Sequence, residues 1–337
     1  MDAKQQKKAE EFLLAEASFI TNAFRIIDVM IQLCKDEPDC KVHVDEILHS
    51  IFFLGFIHKP QQFTPKDILG ELMPALEETF PRPFESYTCK LPKRTPFSSV
   101  LDMVVSLLGP DEEIDILKNL QEIAKYMSDP EMKYQMQSNL FLSFINPSLK
   151  PQTTSNAGVE ARVLGKYQFT SSTICVSQTK EVQRSYYGVS MSCNGRQEGQ
   201  IMVAVSCLRT WNCRVSNAVM TYDPNTKKKR ENFDHTFKLP TNVRCQAFNV
   251  KTGNEMHPCK SCHNLFGLET TETKMWPYGN CAEAESLSKL YNGEKVDAGQ
   301  VVNDEVRMQV IRSVRADLQR KLMSIEYVWD GDYYIPQ

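Results

Sequence analysis

The chain has 337 residues, 42% hydrophobic and 24% charged, with a formal net charge of −3. This length suggests two domains, and the apolar content suffices for ordinary globular cores. The charge profile is not that of a dedicated DNA-binding module, and no apolar run reaches the roughly 18 residues that span a bilayer.

The start, MDAKQQKKAEEF, is charged and is not expected to act as a secretory signal. Residues 4–57 read as helical, because Phe12, Leu13, Ala17, Phe19, Ile20, Phe24, Ile27, Met30, Ile31 and Cys34 recur mostly at three- and four-residue spacings. Pro38 marks a break, and Val44 to Ile57 forms a second helix. Thr64 then caps a third, with Pro65 at its first position. Pro81, Pro83, Pro92 and Pro96 exclude long regular structure over 79–97. Further helices are expected over Ser98–Leu108, Asp111–Tyr126 and Asp129–Phe144. The polar stretch Asn146–Gly158, with two prolines, sets the domain boundary.

Beyond it the pattern turns extended. Tyr186–Cys193 and Ile201–Cys207 read as two strands of a hairpin, and Thr236–Val250 holds further extended segments. Helices are expected to start at Cys259 and Cys281, and a long one to run from Asp304 to Ile325. Charge follows the same division. Residues 1–150 carry 16 Lys+Arg against 23 Asp+Glu, a net of −7; residues 151–337 carry 23 against 19, a net of +4. Lys227-Lys228-Lys229-Arg230, the densest basic run, reads as a solvated loop rather than a phosphate site.

The eleven cysteines are odd in number and unevenly scattered, and no Asn-x-Ser/Thr acceptor occurs apart from the proline-blocked Asn146-Pro-Ser. Both features fit a reducing compartment, cytoplasmic or nuclear. Cys34, Cys40, Cys89, Cys175, Cys193, Cys207 and Cys213 lack ligand spacing and are expected to be buried thiols. His43, His49 and His58 are expected on helix surfaces or in the core.

Two phrases carry chemistry: His257-Pro258-Cys259-Lys260-Ser261-Cys262-His263 and Gly279-Asn280-Cys281-Ala282-Glu283-Ala284-Glu285-Ser286-Leu287. Cys-x-x-Cys at a helix start lets two thiolates grip one metal, and Cys281 supplies a third. With three protein ligands, a tetrahedral zinc ion keeps one position open, where Glu283 can shuttle protons. One alternative is a structural zinc knot closed by His263, His257 or Cys245, with Glu283 merely favouring the helix dipole; another is a metal-free redox Cys-x-x-Cys, although the strand-then-helix context of a thioredoxin does not surround it. Trp276 and Tyr278, just before Cys281, are candidates for stacking on a base and equally suit loop packing; His257 is a candidate for touching the substrate or backing a ligand, although its position more often serves a structural role.

Pro258-Cys259-Lys260-Ser261-Cys262 and Cys281-Ala282-Glu283 together resemble the signature of the zinc-dependent cytidine deaminases. The order is inverted relative to that family, since the x-Glu phrase here follows Cys-x-x-Cys, and the resemblance covers residues 160–330 at most. It implies a zinc cofactor on Cys259, Cys262 and Cys281, with Glu283 as the catalytic acid–base. The implied partner is a base-containing substrate: nucleoside, nucleotide or single-stranded nucleic acid. The expected architecture is α+β with two domains. An all-α domain over 1–146, a surface for a protein partner, is followed by an α/β cytidine deaminase-like domain over 159–337, built on a mixed sheet whose first two strands are the 186–207 hairpin. The competing expectation is a non-enzymatic interaction protein whose zinc only ties down the C-terminal domain.

Overall fold

A computed structural model describes residues 3–35, 37–58, 62–128, 169–193, 195–294 and 304–337, with residues 3–15 described as backbone alone. The architecture is mixed α+β, with helices at the N-terminus and a four-stranded sheet after them. The helix expected over Asp129–Phe144 and the boundary at Asn146–Gly158 lie outside the described residues. The chain forms two compact units: residues 1–92, 122–170 and 329–337 make one, and residues 93–121 and 171–328 the other.

In the first unit, α1 (Ala3–Cys34) packs on α2 (Lys41–Ile57), whose run from Val44 to Gly55 is buried throughout. A helix that is apolar or buried on every side is a core helix. Within α1, Glu16–Cys34 is long and apolar enough to cross a membrane, a window that the sequence reading passes over. However, 67% of it is buried inside the protein, as in a core helix. The short α3 (Pro65–Leu69) opens as expected: Thr64 accepts from Asp67 N, and Asp67 accepts from Thr64 N at 2.8 Å, a reciprocal capping box. Two more short helices, α4 (Met73–Thr79) and α5 (Pro81–Ser86), use their prolines in the first turn, where no N–H is missed. Leu91 pairs with Tyr333, and Tyr334 stacks on the fully buried His49 at 3.9 Å while its hydroxyl donates to Asp45.

The second unit begins with α6 (Pro96–Leu108); α7 (Glu113–Ser128) follows, its residues up to Gln121 counted in this unit and those from Glu122 in the first. Its sheet comprises β1 (Thr173–Thr179), β2 (Tyr186–Val189), β3 (Val243–Asn249) and β4 (Glu255–Met256), in the order β2-β1-β3-β4. Every pairing is antiparallel: Ile174 faces Val189, Ser177 faces Cys245, and Ala247 faces Met256. The sheet is therefore not mixed, as the sequence had suggested.

The 186–207 hairpin is also overturned. The partner of β2 is β1, and Arg196–Val205 is a helix, α8, running into a π-helical turn at Ser206–Thr210. Ile201, Met202 and Val205 are buried while Val203 and Ala204 are half-exposed, a helical spacing that the unbroken apolar run conceals. The remaining helices are α9 (Cys213–Met220), α10 (Lys260–Phe266), α11 (Ala282–Gly293) and α12 (Asp304–Ser324). The loop with Lys227, Lys228 and Lys229 is exposed, in keeping with a solvated run.

Of these helices α11 matters most. It lies across β1, β2 and β3, and at Gly188 the approach is so close that a Cβ would stand 2.6 Å from Ala282 O. Ser177 and Ser286, both buried, join hydroxyls at 2.9 Å across the same interface.

Candidate metal centre

Both cysteine phrases start helices. Cys259 is the N-cap of α10 and Cys281 the N-cap of α11, each with extended backbone, while Cys262 falls in the first turn of α10. Cap positions leave side chains near the unpaired N–H groups of the first turn, where a thiolate is favoured. The two helices bring the sulfurs together: Cys259 Sγ is 3.7 Å from Cys262 Sγ and 3.4 Å from Cys281 Sγ. All three Sγ atoms lie within 4.8 Å of one another and could hold a metal ion. None of the three is in a disulfide.

The three thiols shift one another in opposite directions. Hydrogen bonds with Cys262 and Cys281 pull the Cys259 thiol far below the usual range, and the backbone N–H groups of Cys262 and Ser261 add to the effect. The Cys262 and Cys281 thiols, each hydrogen-bonded with Cys259, are pushed well up. A lowered thiol beside two further sulfurs is an arrangement suited to a cation.

Glu283, in the first turn of α11, is only 4% exposed. Burial pushes its carboxyl up to about 6; its own backbone N–H opposes this, the charge on Cys259 reinforces it, and a hydrogen bond with Cys262 again opposes it. A carboxyl held near neutrality beside three thiols can take up and release a proton at ordinary pH. Among the described residues no fourth histidine, cysteine or carboxylate brings a ligand atom within 4.8 Å of all three sulfurs. His257 is exposed, His263 binds the Leu268 carbonyl through Nδ1 at 2.9 Å, and Cys245 sits 3.5 Å from Cys175.

The residues proposed for substrate sit differently. Trp276 is 48% exposed, with Lys274 Nζ 3.9 Å from its ring centre, and Ser261 Oγ binds both its backbone N (3.1 Å) and O (2.6 Å). Tyr278 is half-buried, stacks on Tyr222 at 3.5 Å, and accepts from Asn264. One of its faces is thus already used. Cys34, Cys40, Cys175 and Cys207 are buried as expected and Cys89 and Cys193 half-buried, but Cys213 is exposed at the start of α9.

A second group of functional interest has no motif. Along α11, Glu285, Ser288, Lys289 and Asn292 recur at helical spacing and, with Arg94 and Ser98, line a cavity of ≈ 50 Å³. Glu285 accepts from Val189 N at 3.1 Å and from Ser98 Oγ at 2.5 Å, and pairs with Lys289 Nζ at 2.8 Å. Lys289 also reaches Asp102 at 2.6 Å, and Asp102 in turn holds Arg94. Burial alone would raise the Glu285 carboxyl, but the charge of Lys289 and these donors hold it below the usual carboxylate range. Only the Glu285–Lys289 pair, four residues apart, leaves a trace in the sequence.

Compared with known proteins, the chain matches no protein family, no curated protein and no solved structure.

Proposed function

We propose that the chain is a zinc-dependent hydrolytic deaminase acting on a cytosine-type base, carried by a nucleoside, a nucleotide or single-stranded nucleic acid. The observation that carries this reading is the pairing of a three-sulfur cluster with a buried carboxyl two residues beyond Cys281, and no fourth protein ligand among the described residues. Zinc fits the donors. Thiolates are soft ligands, and Zn–S bonds of about 2.3 Å in a tetrahedron set sulfurs about 3.8 Å apart. The observed 3.4 and 3.7 Å need only small adjustments to reach that spacing. Bound by Cys259, Cys262 and Cys281, the ion would supply Lewis acidity to water and substrate.

The chain's own part is proton transfer. Glu283 accepts a proton as water adds to the amine-bearing ring carbon, then delivers it to the departing amine. A C–O bond forms, the C–N bond breaks, and ammonia leaves. Trp276 and His257, exposed on the same segments as the ligands, would form the rim. A cytoplasmic or nuclear location belongs to the same reading.

One observation favours the alternative, a structural zinc site in an interaction protein: Tyr278 is stacked on Tyr222 and Lys274 sits over the Trp276 ring, so the aromatic candidates already have partners. The two readings separate at Glu283. Zinc-loaded wild type and Glu283→Gln are incubated with cytidine, its monophosphate, and cytosine-containing single-stranded RNA and DNA, and released ammonia is measured. Turnover by wild type and none by the variant, with zinc retained in both, supports catalysis. Equal turnover by the variant sinks the role of Glu283, and no turnover by a zinc-loaded wild type on any substrate leaves the structural reading.

A further inference from the structure

We infer that Glu285 is the positioning residue of the metal centre: it locks α11 onto β2 and α6, so that Cys281 Sγ is delivered to Cys259 and Cys262. The inference rests on the metal-site reading of the three cysteines, but not on deamination.

Cys281 belongs to a different helix from the other two sulfurs, so the cluster exists only if the N-terminus of α11 is placed to within a few tenths of an ångström. Sub-ångström placement of ligands comes from the groups behind them. One turn after Cys281, the Glu285 carboxylate takes three donors from three elements. These are Ser98 Oγ on α6, Val189 N at the end of β2, and Lys289 Nζ on α11 itself. The acceptor is largely buried, with 14% of its side chain exposed, so these bonds are little weakened by water. Lys289 and Arg94 meet again on Asp102 of α6, which makes the anchor a closed network rather than one contact. The Val189 bond fixes α11 along the strand, and the Ser98 bond fixes its rotation. Nearby, Gly188 lets the helix backbone seat directly on β2. None of these groups belongs to the ligand set, so the effect on metal passes through the helix.

The test is zinc affinity by competition with a chromophoric chelator, on the full chain, in wild type, Glu285→Ala, Glu285→Gln and Ser98→Ala. The cobalt-substituted forms are compared by their thiolate-to-metal and ligand-field bands. Residues behind a ligand typically contribute 10- to 100-fold in metal affinity. Glu285→Ala is therefore expected to bind zinc about tenfold more weakly, with altered cobalt bands. Ser98→Ala should move the same way by a few-fold, and Glu285→Gln, which keeps an acceptor, should fall between. Folding of each metal-free variant is checked by circular dichroism. Should Glu285→Ala fail to fold, the other two carry the test.

Wild-type affinity and unchanged cobalt bands in folded variants would overturn the positioning role while leaving the three-cysteine centre intact. A wild type that binds no zinc would remove the centre itself. A chain that binds zinc, shows the Glu285 effect and deaminates nothing would sustain this inference and remove only the enzymatic reading.

Discussion

Gly188 on β2 and Ser286 on α11 meet backbone to backbone, with no side chain between them. Its neighbours leave no slack: a Cβ on Gly188 would lie 2.6 Å from Ala282 O and 2.8 Å from Glu285 Cβ. Two of these three contacts are backbone atoms, which cannot rotate away. Gly188→Ala is therefore expected to push the start of α11 off the sheet and to cost about 3 kcal/mol, the upper part of the overpacking range. Because Cys281 caps that helix, zinc binding should weaken together with stability. Thermal unfolding and zinc content of the one variant check both.

The metal centre makes its own thermal prediction. A ligand that binds only the folded state, present at a thousand times its dissociation constant, adds about 4 kcal/mol. For a unit of this size each kcal/mol shifts the midpoint by about 2–4 °C. Zinc-loaded protein is thus expected to melt about 10 °C above chelator-treated protein, with one zinc per chain by elemental analysis. Cys262→Ser, altering the one fully buried ligand, should abolish both the zinc and the shift. A variant that keeps its zinc would show that Cys262 is not a ligand.

How much of this was legible in the sequence depends on distance along the chain. The capping box at Thr64 and the helix starts at Cys259 and Cys281 could be read directly, because each is set within four residues. The Ile201–Val205 run was misread because five apolar residues in a row carry no period, and only their burial separates helix from strand. Strand β1, which pairs with both β2 and β3, was missed altogether, since its apolar run Ile174-Cys175-Val176 is only three residues long and is flanked by Ser and Thr that equally suit a loop. Glu285 was invisible for a different reason. Its partners Val189 and Ser98 lie 96 and 187 residues away, beyond any local pattern. Likewise, no sequence signal shows that residues 93–121 pack with the sheet-bearing unit.

The two aromatic candidates should separate cleanly. Trp276 is half exposed, so Trp276→Ala is expected to leave stability within about 0.5 kcal/mol. Tyr278→Ala removes a ring stacked on Tyr222 and the acceptor for Asn264, and should cost at least about 1 kcal/mol. If Trp276 forms the substrate rim, its variant instead raises KM for a cytosine-type substrate with zinc unchanged. Urea unfolding of both variants, with kinetics on the first, distinguishes rim from core.

Acid sensitivity of the first unit centres on His49. Burial holds its imidazole down to about 3, against 6.5 when unfolded. Between those values the unfolded chain carries the extra proton, so stability rises with pH across that window. The contribution is whole above 6.5 and is lost progressively as pH falls toward 3, by at most about 1.4 kcal/mol per pH unit. Tyr334 is stacked on the ring, and Asp45 lies one turn before it on α2. Asp45 has a carboxyl raised by burial, so it gains a proton first in the folded state and offsets part of the loss. His49→Phe keeps a ring against Tyr334 but cannot titrate. Between pH 6.5 and 5 its loss of stability should be smaller than the wild-type loss by about 1.6 kcal/mol, measured by urea unfolding at each pH. Equal losses in the two proteins would mean that His49 is not the group that titrates.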